Sequence, residues 1–335
     1  MQVARTERLF GKIAVAAVVA ILAGLGISRA LGQAGVSETK PGQAQLVWVD
    51  TDIGDDIDDA FALGLILRSP ELHVLGISTA FGDTETRARL VDRLLAATSV
   101  QAIPVTAGVH TKTDNAMTQR VYAERFPARP HPDGAVALLD AIKRHPGEIT
   151  LIAIGPLFNI GAAIDRDPET FRKLRRVVMM GGSVDRGYDG ANGQRRPPEP
   201  EWNIDRDPKD AAKLLAAGVP IFMMPLDSTQ IHLETADRDA LFAAGNPLTD
   251  QLTLLYHQWV GNTPNHSPTP TLFDPLAAAY TFRPDLCPMQ PIRLTVDANG
   301  LTRRVPGEPN AQVCLKSDEK GFLNLLLGRL KSFSK

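Results

Sequence analysis

The chain has 335 residues, 44% hydrophobic and 22% charged, and its 36 basic and 38 acidic side chains leave a net charge of −2. This balance shows no basic excess of the kind that suggests a nucleic-acid binder. Two cysteines, Cys287 and Cys314, are too few for a disulfide scaffold and the wrong pattern for a zinc site.

The N-terminus stands apart from the fold. Arg5, Arg8 and Lys12 precede an uninterrupted apolar stretch over 13–27, and Gly32-Gln33-Ala34 offers a small-residue exit. That order describes a secretory signal over 1–34. The run falls short of the roughly 20 residues that a membrane span requires. An uncleaved N-terminal anchor is the alternative, and only then would the chain meet a membrane. Residues 35–45 are polar and contain Gly and Pro, as a linker does, which leaves 46–335 for the folded domain. Export, to the periplasm or beyond the cell, would put Cys287 and Cys314 in an oxidising space, where they either pair or stay as buried thiols.

From residue 46 short apolar runs alternate with helical patterns. Strands are predicted over 46–49, 74–79, 105–107, 150–154, 176–180 and 221–224, with helices over 60–68, 85–97, 134–144, 160–165 and 208–217. Such alternation argues for a mostly parallel sheet covered on both faces. Ligands of these sheets bind outside the carboxyl ends of the strands. Residues 183–201 have no periodicity and form a long loop of the kind that is often functional. A helical pattern over 236–260 leads to a turn-rich segment, 261–270, and Phe273-Asp274-Pro275 opens another helix. Residues 292–296 and 312–315 read as antiparallel strands, and a helix over 320–330 closes the chain.

The chemistry concentrates after the first strand, where six aspartates fall within ten positions from Asp50 to Asp59. Aspartate near a helix N-terminus is favourable in itself, but a cap uses one or two. Carboxylates this crowded must be solvated, protonated or bound to a cation. Oxygen donors without a nearby Cys or His select Ca²⁺ or Mg²⁺ over zinc.

Asp50-Thr51-Asp52-Ile53-Gly54 followed by Asp58-Asp59-Ala60 resembles the nucleoside hydrolases, the inosine–uridine-preferring N-ribohydrolase family. Four further segments match in order: 149–160, Met180-Gly181-Gly182, Glu201-Trp202-Asn203 and Asp274-Pro275-Leu276. The resemblance implies an open, Rossmann-like α/β fold, a mostly parallel central sheet flanked by helices with a small C-terminal antiparallel part. It implies Ca²⁺ at the bottom of a pocket, ligated by Asp52, Asp59, the carbonyl of Ile154 and Asp274, with Asp52 also the general base. Asp56 competes with Asp59, because the acidic motif is two residues longer than the family's short form. Asp58, Asn192, Glu201 and Asn203 would bind ribose hydroxyls, as would Asp83, which stands where many members have Asn. The substrate would be a ribonucleoside and the assembly a homodimer or homotetramer.

This chemistry is coherent. Cleaving an N-glycosidic bond passes through an oxocarbenium-like sugar. A Ca²⁺-bound water beside Asp52 would supply the nucleophile, and carboxylates and amides would steady the sugar's developing charge. The leaving base also needs neutralising, usually by a proton donor. Here the chain departs from its family, since Phe273 occupies the position before Asp274 where many members carry His. Tyr256, His257 and His266 are the candidate donors; alternatively Phe273 and Trp259 stack on the base without donating. Trp202 is either a wall of the pocket or core. Two other functions compete. One is a phosphohydrolase resembling the haloacid-dehalogenase-like phosphatases through Asp50-Thr51-Asp52, which the residues after Gly54 disfavour. The other is an exported nucleoside or sugar binder with a cation site and no turnover.

Overall fold

A computed structural model describes residues 44–98, 103–190, 193–263 and 267–332. The signal segment 1–34, most of the linker, Asn192 and His266 lie outside the described residues. Among the described residues no helix is long and apolar enough to cross a membrane.

Among the described residues ten strands form: β1 (Gln45–Thr51), β2 (Leu72–Thr79), β3 (Val105–Ala107), β4 (Thr150–Ile154), β5 (Arg176–Met180), β6 (Ile221–Met224), β7 (Met289–Ile292), β8 (Leu294–Val296), β9 (Thr302–Arg304) and β10 (Ala311–Cys314). Eight of them make one sheet in the order β3-β2-β1-β4-β5-β6-β10-β7. Every pairing in it is parallel except β10 with β7. Strands β4 and β5 are buried at every position, as continuous apolar runs must be when helices cover both faces of a sheet. Val47 and Val49 belong to one buried cluster together with the helices Asp58–Leu67, Phe273–Tyr280 and Glu319–Lys331. Trp48, Leu151 and Ala153 belong to the other, with Gly134–Arg144 and Phe158–Arg166. β1 thus alternates its side chains between two cores.

Two expectations change in detail. The run 292–296 does not form a single strand: Ile292 ends β7 against β10, while Leu294 opens the separate two-stranded ribbon β8-β9. The 312–315 run joins the main sheet, parallel to β6 on one side and antiparallel to β7 on the other. Sequence period cannot tell these pairings apart, because strands of either sense repeat every two residues. Cys287 and Cys314 are disulfide-bonded, with Cα atoms 5.6 Å apart, which ties the end of β10 to the segment entering β7.

What places the site is the order reversal at β1. From β1 the chain crosses to β2 and β3 on one side, while β4, β5 and β6 lie on the other. A crevice opens beyond the carboxyl ends of the strands at such a switch point. Thr51 pairs with Ile154, so β1 and β4 end level there.

Candidate active site

A cavity of about 630 Å³ occupies this crevice. Its walls include Asp52, Asp58, Asp59, Ile154, Met180, Glu201, Trp202, Asn203, Phe273 and Asp274, residues that draw on all five segments singled out in the sequence. Leaving β1, the chain turns through Gly54 at a φ of +122°, a left-handed backbone that glycine adopts without strain. The helix Asp58–Leu67 then begins at Asp58, two residues earlier than periodicity predicts, and puts Asp58 and Asp59 in its first turn. The segment after β4 approaches closely: a Cβ at Gly155 would lie 2.8 Å from the backbone nitrogen of Asp52. The Phe273–Tyr280 helix supplies Asp274 in its own first turn.

Asp58, Asp59 and Asp274 each offer a carboxylate oxygen within 4.8 Å of the others, and all three are buried. Thr51 Oγ1 donates a short hydrogen bond to Asp59 Oδ1. The backbone N–H of Asp274 donates to Asp58 Oδ2 at 3.1 Å. Asp58 therefore sits with the cluster, not apart from it. Burial pushes all three carboxyls well above their ordinary range, and the neighbouring carboxylates add to the effect. Asp52 rises to about 7, mainly through burial and also through the charge of Asp55, against the opposing pull of Arg87 and a hydrogen bond from the Trp202 side chain. Protonation or a cation must offset this crowding, and the oxygen-only donor set fits a hard cation. Asp56 borders the cavity but is exposed and outside the triplet.

Glu201 caps the short helix Trp202–Arg206 and ties it to the sheet. Its Oε1 accepts from Asn203 N at 3.0 Å, and its Oε2 from Gly182 N at 2.8 Å and Ile204 N at 3.2 Å. Asn203 donates its amide to the Met180 carbonyl at 3.3 Å. An N-cap commonly uses Ser, Thr, Asp or Asn; here a buried Glu takes that place, accepts from three backbone donors and also lines the cavity. Trp202 is a wall of the cavity.

Other candidates fall elsewhere. Asp83 does not line the cavity. It caps the helix Thr84–Thr98 by accepting from Thr86 N at 3.1 Å and pairs with Arg120 at 3.0 Å, both of which help lower its pKa. Tyr256 donates its hydroxyl to the Pro268 carbonyl at 2.8 Å and His257 is exposed, so neither borders the cavity. Trp259 and Phe273 do. Sequence reasoning missed Tyr188, whose ring meets Phe273 edge-on at 6.0 Å and whose hydroxyl accepts from Trp202 N at 2.9 Å. It also missed the loop carrying Asn115 and Thr118. Thr118 donates to Asp55 O at 2.5 Å, and Asn262 holds Thr118 O at 2.6 Å across the mouth. Neither has a signature in sequence beyond lying in an aperiodic stretch.

A mostly parallel sheet with a carboxylate-floored, aromatic-walled cavity at its switch point defines a small-molecule enzyme of the α/β class. Residues 47–324 match the model of the inosine-uridine preferring nucleoside hydrolase family, and the chain belongs to that family. It is thus a hydrolase acting on N-glycosyl compounds. Similar proteins include the pyrimidine-specific ribonucleoside hydrolase RihA of Citrobacter koseri, 30% identical over 325 residues, covering 86% of this chain and 98% of the relative. The non-specific ribonucleoside hydrolase RihC of Escherichia coli is 30% identical over 301 residues, covering 82% and 95%. Among solved structures, the plant nucleoside hydrolase PpNRh1 superposes with a TM-score of 0.73 at 25% identity, covering 87% of this chain and all of that one.

Proposed function

We propose that the protein hydrolyses the N-glycosidic bond of ribonucleosides to free base and ribose, with Ca²⁺ held by Asp52, Asp59, Asp274 and the carbonyl of Ile154. The observation that carries this reading is the convergence of Asp52 and the buried triplet with Glu201 and Asn203 in one cavity. Bound there, Ca²⁺ would offset the carboxylate charge and polarise water and sugar hydroxyls. Asp52 takes the proton of the attacking water. Burial above all raises its pKa, and a bound cation would keep it ionised, as a base must be at neutral pH. Asp58, Glu201 and Asn203 hold ribose hydroxyls, while Trp202 and Phe273 flank sugar and base. Asn203→Ala should raise KM by about tenfold, the cost of one lost hydrogen bond to a substrate hydroxyl, with Tm lowered by about 2–5 °C for the unpaired Met180 carbonyl and the fold retained. An effect only through unfolding would remove Asn203 from the pocket role.

Phe273 has no proton to donate, so departure of the base is the demanding step. We expect p-nitrophenyl riboside, whose leaving group needs no protonation, to outpace uridine, cytidine, inosine, adenosine and guanosine. Free base and free ribose in equal amounts are the expected products. A panel in which no ribosyl compound is cleaved while ribose and Ca²⁺ still bind would instead leave a binding protein. Export is part of the same reading, supported by the N-terminal sequence and by the Cys287–Cys314 disulfide.

A further inference from the structure

Behind the cavity wall lies a buried guanidinium. Arg87 stands in the first turn of the helix Thr84–Thr98 and is 2% exposed. A buried guanidinium has five N–H groups to satisfy, and here they converge on the acidic loop. Nε donates to the Phe81 carbonyl at 2.8 Å, Nη1 to the carbonyls of Ile53 at 3.0 Å and of Asp52 more closely, and Nη2 to the Asp55 carboxylate at 2.7 Å. Phe81, held by Nε, has a φ of +64° and is the single non-glycine residue with positive φ among the described residues. Such a backbone persists in a bulky residue only where its surroundings over-determine it. The Phe81 ring meets Trp202 edge-on at 5.8 Å, and the Trp202 side chain hydrogen-bonds to the Asp52 carboxylate.

These contacts close a ring that begins and ends at Asp52. We propose that Arg87 is the positioning residue of Asp52, holding its peptide directly and its carboxylate through Phe81 and Trp202. Neither Arg87 nor Phe81 lines the cavity, so neither touches substrate. The inference rests on Asp52 being the base, as proposed above. A planar fork is required because four acceptors in different directions must be met at once, which the three donors of a lysine ammonium on a flexible stem cannot reproduce.

The test compares the full-length wild type with Arg87→Lys, Arg87→Met, Phe81→Ala and a control, Arg89→Met. Arg89 lies on the same helix and also holds backbone carbonyls, those of Phe126 and Glu124, away from the site. Steady-state kinetics on a cleaved nucleoside would be paired with calorimetric titration of Ca²⁺ alone and with thermal melting. Arg87→Lys should melt cooperatively yet lose about 10–100-fold in kcat, with KM within about threefold of wild type, as a small misplacement of a reacting group predicts. Its Ca²⁺ affinity should fall about tenfold, the usual effect of losing an outer partner of a metal ligand. Phe81→Ala leaves the peptide bonds of the clamp intact, so it should lower kcat about tenfold and leave Ca²⁺ affinity nearly unchanged. Arg89→Met should match wild type. Wild-type kcat in Arg87→Lys, or an equal loss in Arg89→Met, overturns the clamp while the hydrolase reading stands. Should Arg87→Lys fail to fold, wild-type kcat in Phe81→Ala overturns it. A wild-type protein that neither cleaves nucleosides nor binds Ca²⁺ overturns both.

Discussion

Asp52→Ala should lower kcat on the best nucleoside by on the order of 10³-fold or more at saturating Ca²⁺, since both proton abstraction and a metal ligand are lost. Asp52→Asn separates the two effects. The amide retains the shape and an oxygen that can accept the Trp202 hydrogen bond, so the fold and the Arg87 ring should survive. It cannot take up a proton, so kcat should still fall at least about a hundredfold. Thermal melting within a few degrees of wild type would show that the loss belongs to the chemistry. Turnover at the wild-type rate in either variant would remove Asp52 from the role of base.

The second large effect is on stability. In the metal-free protein the carboxyls of Asp58, Asp59 and Asp274 lie well above their unfolded values, and Asp52 lies near 7 against 3.8. A group whose pKa is raised by folding stabilises the fold fully below its unfolded pKa and loses that contribution as pH rises through its folded pKa. Metal-stripped protein should therefore lose stability from Asp52 between about pH 4 and 7, and from Asp58, Asp59 and Asp274 as pH rises above their unfolded values through their raised folded ones. A bound cation reverses the trend because it selects the ionised carboxylates. The gain in Tm on adding a fixed concentration of Ca²⁺ should then grow with pH, reaching about 4–5 °C where that concentration is 100 times Kd for a domain of this size. Calorimetric scans at pH 5 and pH 8, with chelator and with Ca²⁺, measure it. A gain that is flat or shrinks with pH would contradict a cation held by buried carboxylates.

How far this site could be read from sequence depended on the range of each interaction. The acidic loop was visible because a strand end and a helix start fix Asp52, Asp58 and Asp59 locally, and the helix does start at Asp58. Asp274 was visible through its own helix start. Asp83 was placed by analogy of position, and its local chemistry prevailed: an aspartate that can cap Thr86 N turns away from a site several residues off. Asp50 counts among the six aspartates, yet β1 runs on through it. Its side chain is buried against Ser78 and Asn159 on the sheet's other face. Alternation puts Asp50 with Trp48 and away from Val49 and Thr51; Asp52 has the same parity but escapes that face because β1 ends at Thr51. Arg87 and Tyr188 act across long sequence separations through backbone atoms, which leave no residue-type pattern. The C-terminal strands do pair antiparallel, β7 with β10 and β8 with β9; the parallel edge of β10 against β6 was not legible, because it is set by tertiary neighbours.

The measurement that bears most directly on the central claim is release of free base from uridine and inosine by a single preparation assayed as purified, after chelator stripping, and after Ca²⁺ is returned. The account predicts turnover, its loss on stripping and its recovery with Ca²⁺. Turnover that persists undiminished in the stripped protein would contradict the role given to the carboxylate cluster, and absence of base release in all three states would contradict the hydrolase itself.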